Sequence, residues 1–88
     1  MDIVYQPMFL RRLKALTPTV QATVIAKVLL FADLKNHQTL GVHKLHGRLK
    51  DRYGFSVTPS IRIVFCYTTT KPREAHLLTV GPHDVYDT

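Results

Sequence analysis

The sequence contains few of the residues that usually reinforce a small protein. Its 88 residues include one cysteine, four glycines and no tryptophan. Cys66 alone cannot form an internal disulfide, so nothing cross-links the core, and we expect a reducing, cytoplasmic setting. The scarcity of glycine and the absence of Walker, GxGxxG and GxSxG motifs argue against a nucleotide cradle or a serine hydrolase site.

Long apolar runs and acidic residues are also scarce. No run approaches the ~20 apolar residues that span a bilayer, and the first five residues lack the pattern of a secretory signal. Lys and Arg number 12 against 6 Asp and Glu, which gives a formal charge of +6 and a pI near 9.8. A small basic protein typically meets phosphates or an acidic protein partner. The ordinary apolar fraction of 45% predicts that residues 1–88 form one globular domain.

A short strand and a helix open the chain. Residues 3–5 (Ile-Val-Tyr) predict the strand, and Pro7 is acceptable in the first turn of a helix. Phe9, Leu13 and Leu16 follow at i, i+4 and i+7, which predicts one buried face. The neighbouring cations fall outside that face, in water: Arg11, Arg12 and Lys14.

A second helix is predicted to begin with Thr17 as N-cap and Pro18 at the first helical position, and to reach about Asn36. The almost loop-free junction between the two helices predicts an αα-hairpin. Leu30 and Leu34 fall on the side expected to face water, either as scattered surface leucines or as part of a partner surface. The predicted buried arc comprises Val20, Val24, Ile25, Val28, Leu29, Phe31 and Ala32.

Strand patterns dominate the second half, at residues 53–57, 61–67 and 75–80. In the central strand one face carries Ile61, Ile63, Phe65 and Tyr67, and the other carries Arg62, Val64 and Cys66. The predicted fold class is α+β, with the N-terminal αα-hairpin packed on one face of a small, mainly antiparallel sheet.

The segment 42–52 is the most basic part of the chain. Leu45 and Leu49 fit one side of either a helix or a strand, and Lys44, Arg48 and Arg52 project away from them. Such a run is either a solvated surface or a phosphate-binding surface.

The five histidines do not predict a metal site, because the chain has no paired cysteines and only a loose His43-x-x-His46 spacing. We expect neither a metal nor a cofactor. Cys66 lies among apolar residues in a strand, where a thiol usually behaves as a small hydrophobic group.

Arg62 and the C-terminal His83, Asp84 and Tyr86 are the residues best suited to catalysis. A guanidinium in the middle of a strand is costly to bury, so Arg62 is expected to face a groove. Histidine transfers protons near neutral pH, and cations stabilise the charge that builds on a phosphate. These groups suit metal-free RNA cleavage, in which a 2′-hydroxyl attacks its own phosphate. The alternative is a loop histidine without a role and a tyrosine that anchors the C-terminus.

Three segments and their order resemble the RelE/ParE superfamily of bacterial and archaeal toxins. The segments are 42–47 (VHKLHG), 61–65 (IRIVF) and 80–86 (VGPHDVY). The resemblance implies a toxin that an antitoxin neutralises. RelE-like members cut mRNA on the ribosome, need no metal ion for the reaction and do not bind a membrane. ParE-like members instead poison DNA gyrase and have no nuclease activity.

By the same resemblance, Arg62 is expected to contact the scissile phosphate, with His83, Tyr86 and His46 as further catalytic residues. Asp84 is an orienting residue for His83, and the predicted RNA-binding cations are Lys44, Arg48, Lys50 and Arg52. The histidine-rich sequence favours the nuclease, a type II toxin whose partners are its antitoxin, the ribosome and mRNA. A ParE-like toxin or a non-catalytic RNA-binding module remain the alternatives.

Overall fold

The computed structural model describes residues 1–46, 51–69 and 72–82. The helices in this part of the chain are α1 (Pro7–Lys14), α2 (Pro18–Phe31) and α3 (His37–Leu40), and a 3₁₀ turn spans Leu34–Asn36. None of these helices is long and apolar enough to cross a membrane. The strands are β1 (Asp2–Tyr5), β2 (His43–Lys44), β3 (Tyr53–Ser56), β4 (Arg62–Tyr67) and β5 (Glu74–Gly81).

The strands form one mixed sheet in the order β1-β5-β4-β3-β2. β1 runs parallel to β5, and the pairs β5–β4, β4–β3 and β3–β2 are antiparallel. Together with the helices, this sheet gives the α+β class that the sequence predicts.

The main core lies between the helices and one face of the sheet, which we call the helix face. Phe65 of β4 is at its centre, with its ring centroid 4.6 Å from that of Phe31, 5.6 Å from Tyr53 and 5.3 Å from Tyr67. The helices contribute Phe9, Val24, Val28 and Phe31, and the sheet contributes Phe55, Ile63, Phe65, Ala75, Leu77 and Val80.

The other face of the sheet carries Arg62, Val64 and Cys66, and we call it the Arg62 face. The alternation predicted for the central strand is confirmed, because Ile63 and Phe65 lie in the main core while Val64 packs in a smaller cluster with Leu45 and Leu78. The register between β4 and β5 shifts at Val64/Phe65, so Leu78 is an extra residue in β5.

The predicted starts of both helices are confirmed. Pro7 and Pro18 lie in the first turns, and the Thr17 hydroxyl accepts a hydrogen bond from the Val20 amide at 3.3 Å. The predicted end of the second helix near Asn36 is wrong, because α2 stops at Phe31. Two side chains beyond the helix bind its last carbonyls in place of a further helical turn. His37 Nε2 donates to Phe31 O at 2.7 Å, and Asn36 Nδ2 donates to Leu30 O at 2.9 Å.

The predicted buried arc of α2 is partly wrong. Val24, Val28 and Phe31 are buried, but Ile25 is 51% exposed and Leu29 is 71% exposed. The cause is that α2 is apolar almost all the way round, so periodicity alone did not identify the narrower stripe that meets the sheet. Leu30 and Leu34 are exposed, as predicted.

Candidate functional site

Arg62 opens β4 and lies beside the ends of two other strands. It pairs with Ser56 of β3 and Gly81 of β5, so the guanidinium has only small residues on either side within its row of the sheet. Its Nη1 donates a hydrogen bond to Pro59 O at 3.1 Å. Arg62 is half-buried and lies on the face away from the helices, while the groove predicted for it stays a prediction.

The turn between β3 and β4 holds that carbonyl in place. The Val57 amide donates to Ile61 O at 2.8 Å, which closes the turn. The Thr58 hydroxyl accepts from the amides of Ser60 at 3.3 Å and Ile61 at 3.1 Å. Because Thr58 organises its own turn, the Thr-Pro-Ser sequence both ends β3 and positions the acceptor of the arginine.

Of the histidines that the structure describes, His43 lies nearest to Arg62 on the same face. It pairs with Gly54, and Gly54 pairs with Val64, so the three residues share the Arg62 face. Two strand spacings and two residues of rise separate His43 from Arg62, roughly 12 Å between Cα atoms. Gly54, which lies in the row between His43 and Val64, is itself buried. We therefore add His43 to the candidate site, although the sequence did not single it out for catalysis.

A hydrogen bond to a backbone carbonyl selects the tautomer of His43. Its Nδ1 lies 2.9 Å from Gly41 O, and a carbonyl can only accept, so Nδ1 carries the hydrogen. In the neutral ring Nε2 is then the proton-accepting nitrogen. Gly41 ends α3 with a φ of 75°, a left-handed conformation that favours glycine. The chemistry of His43 thus depends on a helix end.

The predicted residues of the basic segment do not all converge on Arg62. Lys44 pairs with Tyr53 and so belongs to the helix face, at the edge of the sheet. Leu45 N donates to Arg52 O at 2.8 Å, which continues the β2–β3 register and sets Arg52 on the Arg62 face, about 13 Å along β4 from Arg62. His46 is exposed and follows the end of β2 that points away from Arg62 along the sheet.

The remaining predicted site residues lie outside the described part of the chain. The residues in question are Arg48, Lys50, His83, Asp84 and Tyr86.

A separate polar cluster occupies the other end of the Arg62 face. His76 of β5 pairs with Cys66, its Nδ1 accepts from Gln6 Nε2 at 3.0 Å, and its Nε2 lies 3.5 Å from a Glu74 oxygen. The contact with Glu74 lacks hydrogen-bond geometry, so Nε2 has no hydrogen-bond partner in the part of the chain that the structure describes. His76 is five residues from Gly81, about 17 Å along the strand, and does not belong to the Arg62 site. The described residues contain no group of three His, Cys, Asp or Glu side chains that could hold a metal ion.

Tyr67, on the helix face, has a shifted pKa. Burial raises the pKa of Tyr67 above 10.0, against the lowering effect of Arg73 and with a smaller raising effect from Tyr53. The Arg73 guanidinium lies 4.5 Å from the centroid of the Tyr67 ring. His37 donates its Nε2 hydrogen to Phe31 O, and its Nδ1 forms a hydrogen bond with the Tyr67 hydroxyl at 3.4 Å. This network joins the sheet to the end of α2 and is structural.

No protein-family model and no curated protein sequence matches this chain. Solved structures do match it. A toxin–antitoxin complex from Mycobacterium tuberculosis, RelBE2, superposes with a TM-score of 0.72 at 17% identity, covering 93% of this chain and 96% of that chain. YafQ from Escherichia coli gives a TM-score of 0.69 at 16% identity, with 96% and 94% covered.

A third match is a YoeB/ParE toxin from Agrobacterium tumefaciens, with a TM-score of 0.68 at 10% identity and coverage of 94% of this chain and 99% of that chain. Each match spans nearly the whole of both chains. The chain therefore has the fold of the RelE/ParE toxin superfamily, and the resemblance predicted from three short segments is confirmed at the level of the fold.

Proposed function

We propose that this chain is the toxin of a type II toxin–antitoxin pair and a ribosome-dependent mRNA endoribonuclease. The observation that carries the proposal is the position of Arg62, on the helix-opposed face of a RelE/ParE-type sheet with a histidine on the same face. The toxin–antitoxin part draws on the structural neighbours, one of which is a toxin in complex with its antitoxin. An acidic antitoxin, the ribosome and mRNA are the proposed partners, all in the cytoplasm.

The proposed reaction breaks one phosphodiester bond without a metal ion. The 2′-hydroxyl loses its proton to a base and its oxygen forms a bond to the adjacent phosphorus. The bond from phosphorus to the 5′-oxygen breaks, and an acid gives that oxygen a proton. The products are a 2′,3′-cyclic phosphate and a 5′-hydroxyl. Arg62 neutralises the additional negative charge on the phosphate oxygens during the attack.

Among the described residues, His43 is our proposed base, because its Nδ1 hydrogen is committed to Gly41 O and Nε2 is the basic nitrogen. His83 and Tyr86, in the segment that follows the partner strand of Arg62, are the proposed acid and a substrate contact, and Asp84 is proposed to orient His83. Arg48, Lys50 and Arg52 are proposed to contact the RNA backbone, and Lys44, which lies on the helix face at the edge of the sheet, is proposed to contact it only from that edge. His46 remains a proposed site residue, on the RNA path rather than at the cut.

The test is to add the purified protein to a translating extract and to map the ends of the transcripts. We expect discrete cuts that end in 2′,3′-cyclic phosphates and that are unchanged by a zinc-selective chelator, which leaves the Mg²⁺ of the ribosome in place. Arg62→Ala and His83→Ala should each reduce cutting by about 10²-fold or more. His43→Ala should reduce cutting far more than His46→Ala, and the reverse order would move the base to His46.

A ParE-like activity is the second candidate, because one structural neighbour is described as a YoeB/ParE toxin. Intact transcripts together with inhibited supercoiling by purified DNA gyrase would establish that candidate and refute the nuclease. Intact transcripts, active gyrase and retained binding to ribosomes would identify a non-catalytic module instead.

A further inference from the structure

Helix α2 has two apolar stripes, and only one of them is used inside the domain. The inner stripe consists of Val20, Val24, Val28 and Phe31, which pack in or against the main core. We define the outer stripe as Ala22, Ile25, Ala26, Leu29 and Leu30, all of which are exposed. The exposed fractions of its three large residues are 51% for Ile25, 71% for Leu29 and 48% for Leu30.

The outer stripe has the spacing of a face that packs against another helix. Its residues follow at i, i+3, i+4, i+7 and i+8, the pattern that normally faces a core. Ala22 and Ala26 alternate with larger side chains, which leaves grooves into which the ridges of a second helix fit. The only charged residue of α2 is Lys27, which lies off the stripe.

A hollow at the C-terminal end of the stripe extends this surface. It has a volume of about 460 Å³ and is lined by Met1, Leu29, Ala32, Asp33 and Leu34. Leu34 is 61% exposed, so the apolar surface continues past the end of α2. A hollow of this kind accepts a large anchoring side chain, which is where binding energy tends to concentrate.

The dimensions of the stripe and the charge of the chain discriminate between two occupants. The nine residues from Ala22 to Leu30 span about 13 Å of a helix that is 10–12 Å wide, so the stripe covers roughly 150 Å². A stable interface buries about 800 Å² on each partner, and the stripe alone falls well short of that. A second copy would also bring together two chains of +6 each. An acidic partner that continues beyond the stripe meets neither obstacle.

We infer that the outer stripe of α2 binds an amphipathic helix of an acidic partner, whose apolar residues cover Ile25, Leu29 and Leu30 and whose carboxylates face Lys27 and the net positive charge. The identification of that partner as the antitoxin rests on the proposed function. Because α2 lies on the helix face, this contact is on the opposite side of the sheet from Arg62. It anchors the partner, and a separate segment is required to block the Arg62 site.

The experiment titrates the methyl-labelled full chain with the protein encoded in the neighbouring reading frame and follows the methyl resonances. We expect Ile25, Leu29 and Leu30 to shift on binding while Val24 and Val28 of the inner stripe change little. Leu29→Glu should weaken binding by roughly 10- to 100-fold, as expected for a central apolar anchor. Gln38→Glu, an equal change of charge at an exposed residue of α3, should leave the affinity unchanged.

A translating extract separates this inference from the proposed function. We expect Leu29→Glu to inhibit translation like the wild type and to resist relief by the partner. Unchanged affinity with silent outer-stripe methyls would overturn the inference and leave the toxin proposal intact. A wild type that dimerises through Leu29 in sedimentation would replace the acidic partner with a second copy. If the neighbouring protein neither binds nor relieves inhibition, the toxin–antitoxin proposal itself fails.

Discussion

The two faces of the sheet are built from the same strands, but they differ in how deeply their side chains are buried and in how large and how polar those side chains are. On the helix face, Phe65 is fully buried among Phe31, Phe55 and Tyr53. On the Arg62 face, the adjacent Val64 packs only in the small cluster with Leu45 and Leu78, and Arg62 and His43 share the surface with small residues. The comparison indicates that Ile63 and Phe65 of β4 stabilise the main core, whereas Arg62, on the other face of the same strand, contributes nothing to that core and has a proposed role in the reaction.

The largest expected effect is on the helix face. Phe65→Ala should lower the free energy of unfolding by about 3–5 kcal/mol, since it removes a fully buried ring and leaves a cavity. The matched Val64→Ala on the Arg62 face should cost about 2 kcal/mol. Urea denaturation measures both. Equal losses would show that the two faces contribute alike to stability. If Phe65→Ala does not fold, Phe65→Leu should still lower the free energy of unfolding more than a conservative change at Val64 does.

Thr79 offers a test of the Arg62 face in the stabilising direction. It is 7% exposed and pairs with Val64, and its hydroxyl has no hydrogen-bond partner among the described residues. Thr79→Val keeps the shape and removes the unsatisfied group, so the free energy of unfolding should rise by about 1 kcal/mol. Thr79→Ser retains the hydroxyl and should be destabilising. A loss of stability in the valine variant would show that the hydroxyl is satisfied in solution.

Gly41 connects stability to the proposed base. No atom lies within 4 Å of a Cβ built on Gly41, so Gly41→Ala should cost only the strain of its φ of 75°, about 1 kcal/mol. The same strain should displace the carbonyl that holds His43 and slow RNA cleavage at equal folded fraction. Gly41→Asn, which tolerates this conformation better, should recover part of both. Unchanged cleavage by Gly41→Ala would count against His43 as the base.

The smallest effect concerns Tyr67 and alkaline pH. Burial raises the pKa of Tyr67 above 10.0 in the folded chain, so the folded state holds this proton longer than the unfolded state. The associated stability is complete below about pH 10 and is lost as the pH rises through the raised pKa. Stability measured above about pH 10 should therefore fall less steeply in Tyr67→Phe than in the wild type. Identical slopes would show that the phenol titrates alike in both states.

The strands were predictable because the alternation of their side chains indicates which residues face the core. Ile63 and Phe65 alternate with Arg62 and Val64. An alternation of this kind, with large apolar side chains at every second position, predicts a β-strand with one face in the core. The extra residue at Leu78 was not predictable, because consecutive apolar residues look alike in a regular and a bulged strand.

Helix α2 shows where periodicity stops being informative. Ile25 and Leu29 are as apolar as Val24 and Val28, and only the tertiary contacts decide which pair meets the sheet. The residue pattern predicted burial for both pairs, and the structure assigns it to one. The surplus apolar residues are the basis for the inferred partner surface.

The site was predicted in part. Arg62 stood out because a cation interrupts an apolar strand, and the structure places it on the predicted face. His43 did not stand out, because its position beside Gly54 depends on the pairing of β2 with β3, which the basic segment does not reveal. The separation of Lys44 from Arg52 onto different faces follows from the same pairing.

The most direct test of the division between the two faces is Arg62→Ala, assayed for mRNA cutting in a translating extract and for thermal stability in parallel. We expect cutting to fall by about 10²–10³-fold, the size of effect seen when one stabiliser of transition-state charge is removed. The melting temperature should stay within a few degrees of the wild type, because Arg62 is absent from the main core. Cutting at the wild-type rate by a folded Arg62→Ala protein would contradict the proposed role of this face.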